Sequence, residues 1–193
     1  MSLQPDPTRF YVLESVEGLE LDIQKKDLDK IVVTVADIRL PGYFDSQKIL
    51  IFVGSNEIKY AIFRLWAEPL DRRITEILAE NLVQRTKISS TYAIPTRSLI
   101  KSNIELRLDI EDFSLKPNNR VELIARWRFT GRNAVPLYAS NNTSIQLPLQ
   151  ISANPYVDYY TSIVSTMSSA IGRLADTIAQ DLENIIHNFD LLP

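Results

Sequence analysis

The sequence contains no cysteine. Disulfides, thiolate nucleophiles and cysteine-ligated metals are therefore excluded for these residues. Histidine is almost as scarce. A Ser-His-Asp triad or a multi-histidine metal site would have to rest on His187 alone, and no HExxH-type spacing surrounds it. His187 is better explained as a helix-end residue suited to the negative end of the dipole. The five glycines form neither GxGxxG nor GxxxxGKS, so the familiar nucleotide-phosphate loops are missing and no cofactor is expected. The net charge of −3 supplies no overall basic field, which weighs against a nucleic-acid partner. No run approaches the ~18 apolar residues that would span a bilayer. The opening "MSLQPDPTRF" has neither a charged n-region nor an apolar h-region. That start fits a cytoplasmic protein or a mature portion whose targeting segment has been removed.

What is present is the composition of an ordinary globular domain, 45% hydrophobic and 23% charged over 193 residues. No punctuation divides the chain into two halves. One domain over residues 9–188 is expected, with short tails at 1–8 and 189–193. Arg9–Ser15 reads as a short strand, and "IVVTVADIRL" (Ile31–Leu40) as a central strand apolar on both faces. Ile49–Gly54 and Glu57–Arg64 form a hairpin around Ser55-Asn56, with Ile58, Tyr60 and Ile62 sharing a face.

From Pro69 the apolar period lengthens to that of a helix. Leu70, Ile74, Ile77, Leu78 and Leu82 form one stripe, while Arg72, Arg73, Glu76, Glu80 and Arg85 occupy the solvated remainder. Proline suits the start of a helix, and Glu68 and Asp71 lie where the positive end of the dipole favours carboxylates. Ile104, Leu106, Leu108 and Ile110 then alternate with acids and an arginine. "KPNN" turns the chain, and Val121, Leu123, Ala125, Trp127 and Phe129 answer in a second alternating strand. "SIQLPLQI" (Ser144–Ile151) alternates again, but Pro148 marks it as an edge. Ile163, Met167, Ile171, Leu174, Ile178, Leu182 and Ile185 then predict a helix of roughly 30 residues, about 45 Å long. The expected fold class is α+β: two layers, a mostly antiparallel sheet with two main helices packed on it, the longer one C-terminal.

Candidate chemistry is sparse. Glu68, Asp71, Asp109 and Glu111 could pair in space as hydrolytic carboxylates, yet a helix start and a wet strand face explain them without catalysis. "RWRF" (Arg126–Phe129) mixes cations and aromatics as single-strand nucleic-acid platforms do, but alternation sends the rings and the cations to opposite faces. Two aromatic groups keep functional weight as contacts for a partner or a lipid. One is Tyr43 and Phe44 in the loop "GYFD", which either lids the core or presents a contact surface. The other is Tyr156, Tyr159 and Tyr160 in "YVDYY", whose rings have an apolar body and a polar tip. The uncharged stretch Asn133–Val157 contains an edge strand that could accept another chain by β-augmentation.

"FYVLE", "LPGYFDSQKILIFVGSNEIKYAIFRLWAEPLDRRITEILAENL" and "MSSAIGRLADTIAQDL" together resemble the ABC-type transport auxiliary lipoprotein family, which includes paraquat-inducible protein C. The resemblance is strongest over Leu40–Leu82, where Leu-Pro-x-Tyr-x-Asp, Asn-Glu-Ile-x-Tyr-Ala and Trp-Ala-Glu-Pro-Leu fall in the family's order, and it extends over about Arg9–Asn188. It implies a non-enzymatic Gram-negative periplasmic protein, anchored to the outer membrane through a lipidated N-terminal cysteine that this chain does not contain. It further implies service in a mammalian-cell-entry (MCE) type ABC lipid-transport system. The role would be to dock or receive at the outer-membrane end, with an MCE-domain protein and phospholipid as partners; a homo-oligomer is compatible with it. The alternative is a periplasmic carrier that itself holds a lipid or small apolar ligand, which would need a cavity between helices and sheet.

Overall fold

The computed structural model describes residues 7–24, 28–94, 101–131, 135–137, 141–154 and 157–188. Its centre is a long antiparallel ribbon, β6 (Ile104–Lys116) and β7 (Arg120–Thr130). Asn119 closes their turn in the left-handed region (φ 55°) and donates its N–H to the Lys116 carbonyl, a conformation asparagine tolerates. Alternation places Ile104, Leu106, Leu108 and Ile110 inward. A bulge between Ile110 and Asp112 then takes up Glu111, so Phe113 and Leu115 return to the buried face. β8 (Asn141–Pro148) adds to β7 as an uncharged edge. It begins three residues earlier than the predicted Ser144, and Pro148 ends it rather than interrupting it.

At about 3.3 Å per residue, β6 is long enough to take two neighbours along its other edge. Its first residues pair in parallel with β2 (Val33–Val35), beyond which lies β5 (Thr91–Ala93), also parallel. Its far end meets β3 (Lys48–Phe52) through Ile51 opposite Leu115. β3 forms the expected hairpin with β4 (Ile58–Trp66), and β1 (Arg9–Tyr11) pairs in parallel with β4 at the outer edge. The result is one mixed eight-stranded sheet. Its long ladders are antiparallel and its short ones mostly parallel. Two predicted strands are shorter than expected. Ile31–Leu40 keeps its ladder only over Val33–Val35 and touches β6 again at the single bridge Arg39–Asp109, because the segment between them leaves the sheet. Arg9–Ser15 leaves the sheet after Tyr11 and becomes a strap over the helices.

Helices α1 (Leu70–Thr86) and α2 (Tyr159–Asn188) cover one face of the sheet and pack on each other. The apolar stripes foreseen for both are buried, and a single core cluster joins them to the strands. The polar side of α1 departs from expectation. Arg85 is 1% exposed and Asn81 fully buried, because the strap over residues 12–21 covers that side of the helix: the Leu21 N–H donates to the Arg85 carbonyl and the Val16 N–H to Asn81 Oδ1. Arg73 is likewise less solvated than predicted. Its Nε donates to the Leu13 carbonyl at 2.8 Å, and Glu68, Glu76 and Glu80 surround it. The tails expected at 1–8 and 189–193 lie outside the described residues apart from Pro7 and Thr8.

Candidate functional site

Three of the four carboxylates weighed above face cations. Asp109 faces Arg39, Glu111 binds Arg126, and Glu68 lies 3.7 Å from Arg73. Asp71 sits in the first turn of α1. Among the described residues no group of three or more His, Asp or Glu side chains is placed to hold a metal. Trp127 and Phe129 are buried while Arg126 and Arg128 face solvent, so the cation–aromatic mixture of "RWRF" is split between core and surface. The Trp127 indole N–H and the Asn141 amide both donate to the buried carboxylate of Asp181, tying α2 to β7 and β8. His187 is exposed in the last turn of α2, 3.9 Å from Glu183.

The two aromatic groups stand on different parts of the sheet. Gly42–Phe44 forms a short 3-10 turn. Phe44 is buried, and Tyr43 stacks obliquely on it and edge-on to Phe52. The turn is held to β4 because the Tyr60 hydroxyl donates to the Tyr43 carbonyl at 2.9 Å. Burial, then the charge of Asp112, raises the Tyr43 pKa above the ordinary phenol value, so its hydroxyl stays protonated at neutral pH. Tyr43 is half-buried over a filled base, and its hydroxyl donates to the Glu111 carbonyl at 3.4 Å.

The second group is built on the start of α2. Asp158 caps the helix by accepting from the Thr161 N–H and hydroxyl. Its other oxygen accepts from Tyr11 Oη at 2.6 Å and Arg9 Nη1 at 2.9 Å, with Arg64 Nε at 3.5 Å. The Arg64 guanidinium lies over the Tyr160 ring, 5.6 Å from its centroid, and Tyr160 packs near Tyr11 and edge-on to Tyr159. One carboxylate thus joins β1, β4 and α2. Tyr159 is 40% exposed, whereas Tyr160 packs against the core. Tyr156 lies outside the described residues. Beside this corner a groove of about 540 Å³ runs between β1 with its following strap and the first half of α2. Phe10 and Val12 line one wall, and Val164 and Ser165 the other.

This corner should respond to acid. Burial alone would raise the Asp158 pKa, but hydrogen bonds from Tyr11 and Thr161 and the charge of Arg9 outweigh it and hold the group at about 2, against an ordinary 3.8. A depressed carboxylate contributes stability that is present above its unfolded value and lost as pH falls through the folded one. Asp158 should therefore add about 1–2 kcal/mol near neutrality, disappearing between roughly pH 4 and 2. Acid unfolding followed by circular dichroism should begin at higher pH in the wild type than its neutral stability alone would give. Asp158→Asn should flatten that limb; an unchanged acid limb would contradict the assignment. Tyr11 is pushed up to about 12 by burial, its hydrogen bond to Asp158 and that group's charge, so its share is lost only as pH rises from about 10 towards 12.

A family model for the ABC-type transport auxiliary lipoprotein component matches residues 11–179, nearly the whole of the sheet and both helices. The chain belongs to that family. No curated protein matches the chain in sequence. Among solved structures the auxiliary lipoprotein fold is similar to a Xanthomonas campestris protein, with a TM-score of 0.74 at 11% identity, covering 92% of this chain and 96% of that one. It is also similar to an uncharacterized protein with a TM-score of 0.69 at 16% identity, covering 91% and 98%. At such identities the likeness is one of fold. As a transport auxiliary lipoprotein the chain is an accessory component of an ABC-type system and associates with a membrane of the cell envelope; the family is not a known enzyme class. No helix among the described residues is long and apolar enough to cross a membrane.

Proposed function

We propose that this auxiliary lipoprotein is the non-catalytic periplasmic component of an MCE-type ABC lipid-transport system, anchored to the outer membrane and docking the MCE protein there. The observation that carries the reading is the family match over residues 11–179, joined to the motif series at Leu40–Leu82. The interior supports docking over carriage. Ile104, Leu106, Phe113, Leu123 and Phe129 from the sheet meet Ile163, Ile171, Leu174, Ile178 and Leu182 from α2, all at 0% exposure. This leaves a filled layer between the central strands and α2, where a carrier would need a lipid-sized cavity, and the groove beside β1 is open to solvent at the sheet's edge. Partner contacts would then fall on surface features. Tyr43 and Tyr159 present their rings, Phe44 and Tyr160 support them from beneath, and the uncharged edge of β8 offers a ladder to another chain or to a second copy.

Affinity capture with the cognate MCE protein is the direct test. The domain should retain it at micromolar concentration, and Tyr43→Ala with Tyr159→Ala should weaken retention about tenfold. Failure of the wild-type domain to associate would sink the docking role.

A further inference from the structure

The β3–β4 hairpin is not a regular ladder. Lys48 lies opposite Leu65 and Leu50 opposite Tyr60, so β4 uses five steps where β3 uses two. The three surplus residues are folded out around Ile62 and Phe63. Phe63 takes φ 58°, the left-handed region, which costs an aromatic residue about 1–2 kcal/mol. The outcome of that strain is exposure: Ile62 is 69% and Phe63 51% accessible. Bulges re-aim side chains, and this one aims two apolar side chains into solvent. On the neighbouring strand Phe10 is 64% exposed. Alternation sets it apart from Arg9 and Tyr11, which turn towards Asp158, and it lines the groove beside α2.

Charge and chain direction complete the corner. Phe10, Leu65 and Lys48 lie in one row across β1, β4 and β3, and the same strands bring Arg9, Lys59 and Arg64. Lys48 and Lys59 are exposed while Arg9 and Arg64 share the carboxylate of Asp158, so a chain of net charge −3 still places cations beside three strongly exposed apolar side chains. Arg64 Nη1 donates to the Pro7 carbonyl, so the N-terminal direction of the chain leaves from this corner.

We propose that Phe10, Ile62 and Phe63, flanked by Lys48 and Arg64, insert into the headgroup region of an anionic phospholipid bilayer. The inference rests on the reading of the chain as an envelope lipoprotein. Phenylalanine and isoleucine bring no hydrogen-bonding groups that need a partner. They protrude, whereas the anchors of protein interfaces fill matching pockets. Long cationic side chains around an apolar centre suit the boundary between headgroups and acyl chains. An N-terminal lipid would tether the body but leave it free to rotate. A second contact at the corner where the chain departs would fix its orientation and turn β8 and the far end of the sheet away from the membrane. Tethering also raises the effective concentration, so a contact that is weak alone becomes occupied.

The absence of cysteine makes the test clean. Phe10→Cys, Ile62→Cys, Phe63→Cys and a control on the opposite edge, Ser144→Cys, are each labelled with a nitrobenzoxadiazole fluorophore. The full chain is then held by an N-terminal histidine tag on vesicles of phosphatidylethanolamine, phosphatidylglycerol and a nickel-chelating lipid. Labels at 10, 62 and 63 should shift to the blue, brighten about twofold or more and be quenched by brominated acyl chains, while the label at 144 stays unchanged. Omitting phosphatidylglycerol should weaken the response.

Phe63→Gly separates membrane contact from a structural role. Glycine relieves the left-handed strain, so Tm should rise by about 2–4 °C, while quenching of the label at Phe10→Cys by brominated acyl chains, on the tagged protein held to the same vesicles, falls about twofold or more. Labels at 62 and 63 as wet as the label at 144 would overturn the proposal, as would their burial by the soluble MCE protein without vesicles. Failed capture of the MCE protein beside labels that enter the bilayer would sink the docking role and leave this inference standing.

Discussion

Replacing Arg85 by alanine should destabilise the protein by about 3–5 kcal/mol, read as a lower urea midpoint at unchanged slope. Its guanidinium is 1% exposed and ties three parts of the chain together. Nε donates to Asp176 Oδ1 at 2.6 Å on α2, Nη2 to the Gly172 carbonyl at 3.0 Å on the same helix, and Nη1 to the Val16 carbonyl at 3.2 Å in the strap and to Asn81 on α1. Truncation would leave the Val16 and Gly172 carbonyls and the Asp176 carboxylate without this donor, and an unmade buried hydrogen bond costs more than a made one contributes. Lysine should restore little, because a point charge cannot reproduce the planar fork. Arg72→Ala is the control. Its side chain is 72% exposed on the same helix with Glu76 as its ion-pair partner, so its loss should stay within about 0.5 kcal/mol. Equal effects from the two substitutions would refute the clamp.

Gly18→Ala should cost about 2–3 kcal/mol although it adds a single methyl group. The backbone is not in the left-handed region there, since no glycine has positive φ among the described residues; space is what forbids a side chain. A Cβ at this position would lie 2.0 Å from Arg85 Nη2, 2.5 Å from its Cζ and 2.5 Å from Asp176 Oδ1. Those atoms are held by the hydrogen bonds just described and cannot swing aside as a free side chain would. A double-mutant cycle makes the mechanism explicit. With Arg85→Met as background the guanidinium is gone, and the added methyl should cost less than about 1 kcal/mol. A cost independent of residue 85 would place the effect elsewhere. Gly172 has the same role on the facing helix, where a Cβ would meet Val16 Cγ2 at 2.1 Å.

Both predictions concern residues whose importance is hidden along the chain. Arg85 sits at a helix position where the apolar period predicts solvent, and it would be solvated on an isolated helix. The strap that buries it comes from residues more than sixty positions earlier. Periodicity describes one element at a time, so it cannot register a segment laid across that element's polar side. The bulge at Ile62–Phe63 was hidden for a related reason. Ile58, Tyr60 and Ile62 follow strand alternation, and only pairing with β3 reveals that β4 has three residues too many. The unbroken apolar run Tyr60–Phe63, which interrupts the alternation, was the available signal. The short parallel strand β5 gave none, since three residues carry too little pattern to stand out from a loop.

By itself the sequence determined the elements with strong internal repetition: the apolar stripes of α1 and α2, the alternating ribbon of β6 and β7, the β3–β4 hairpin, and through the motif series at Leu40–Leu82 the family. Each is a local pattern enforced by burial of one face, and burial of a face is what periodicity records. Tertiary structure alone decided that β6 serves two neighbours along one edge, that Arg85 is interior, that Asp158 unites β1, β4 and α2, and that Phe10, Ile62 and Phe63 share a corner with cations. Those features depend on which distant segments meet. That is settled by loop closure and packing of the whole chain and is not encoded in the spacing of any one stretch.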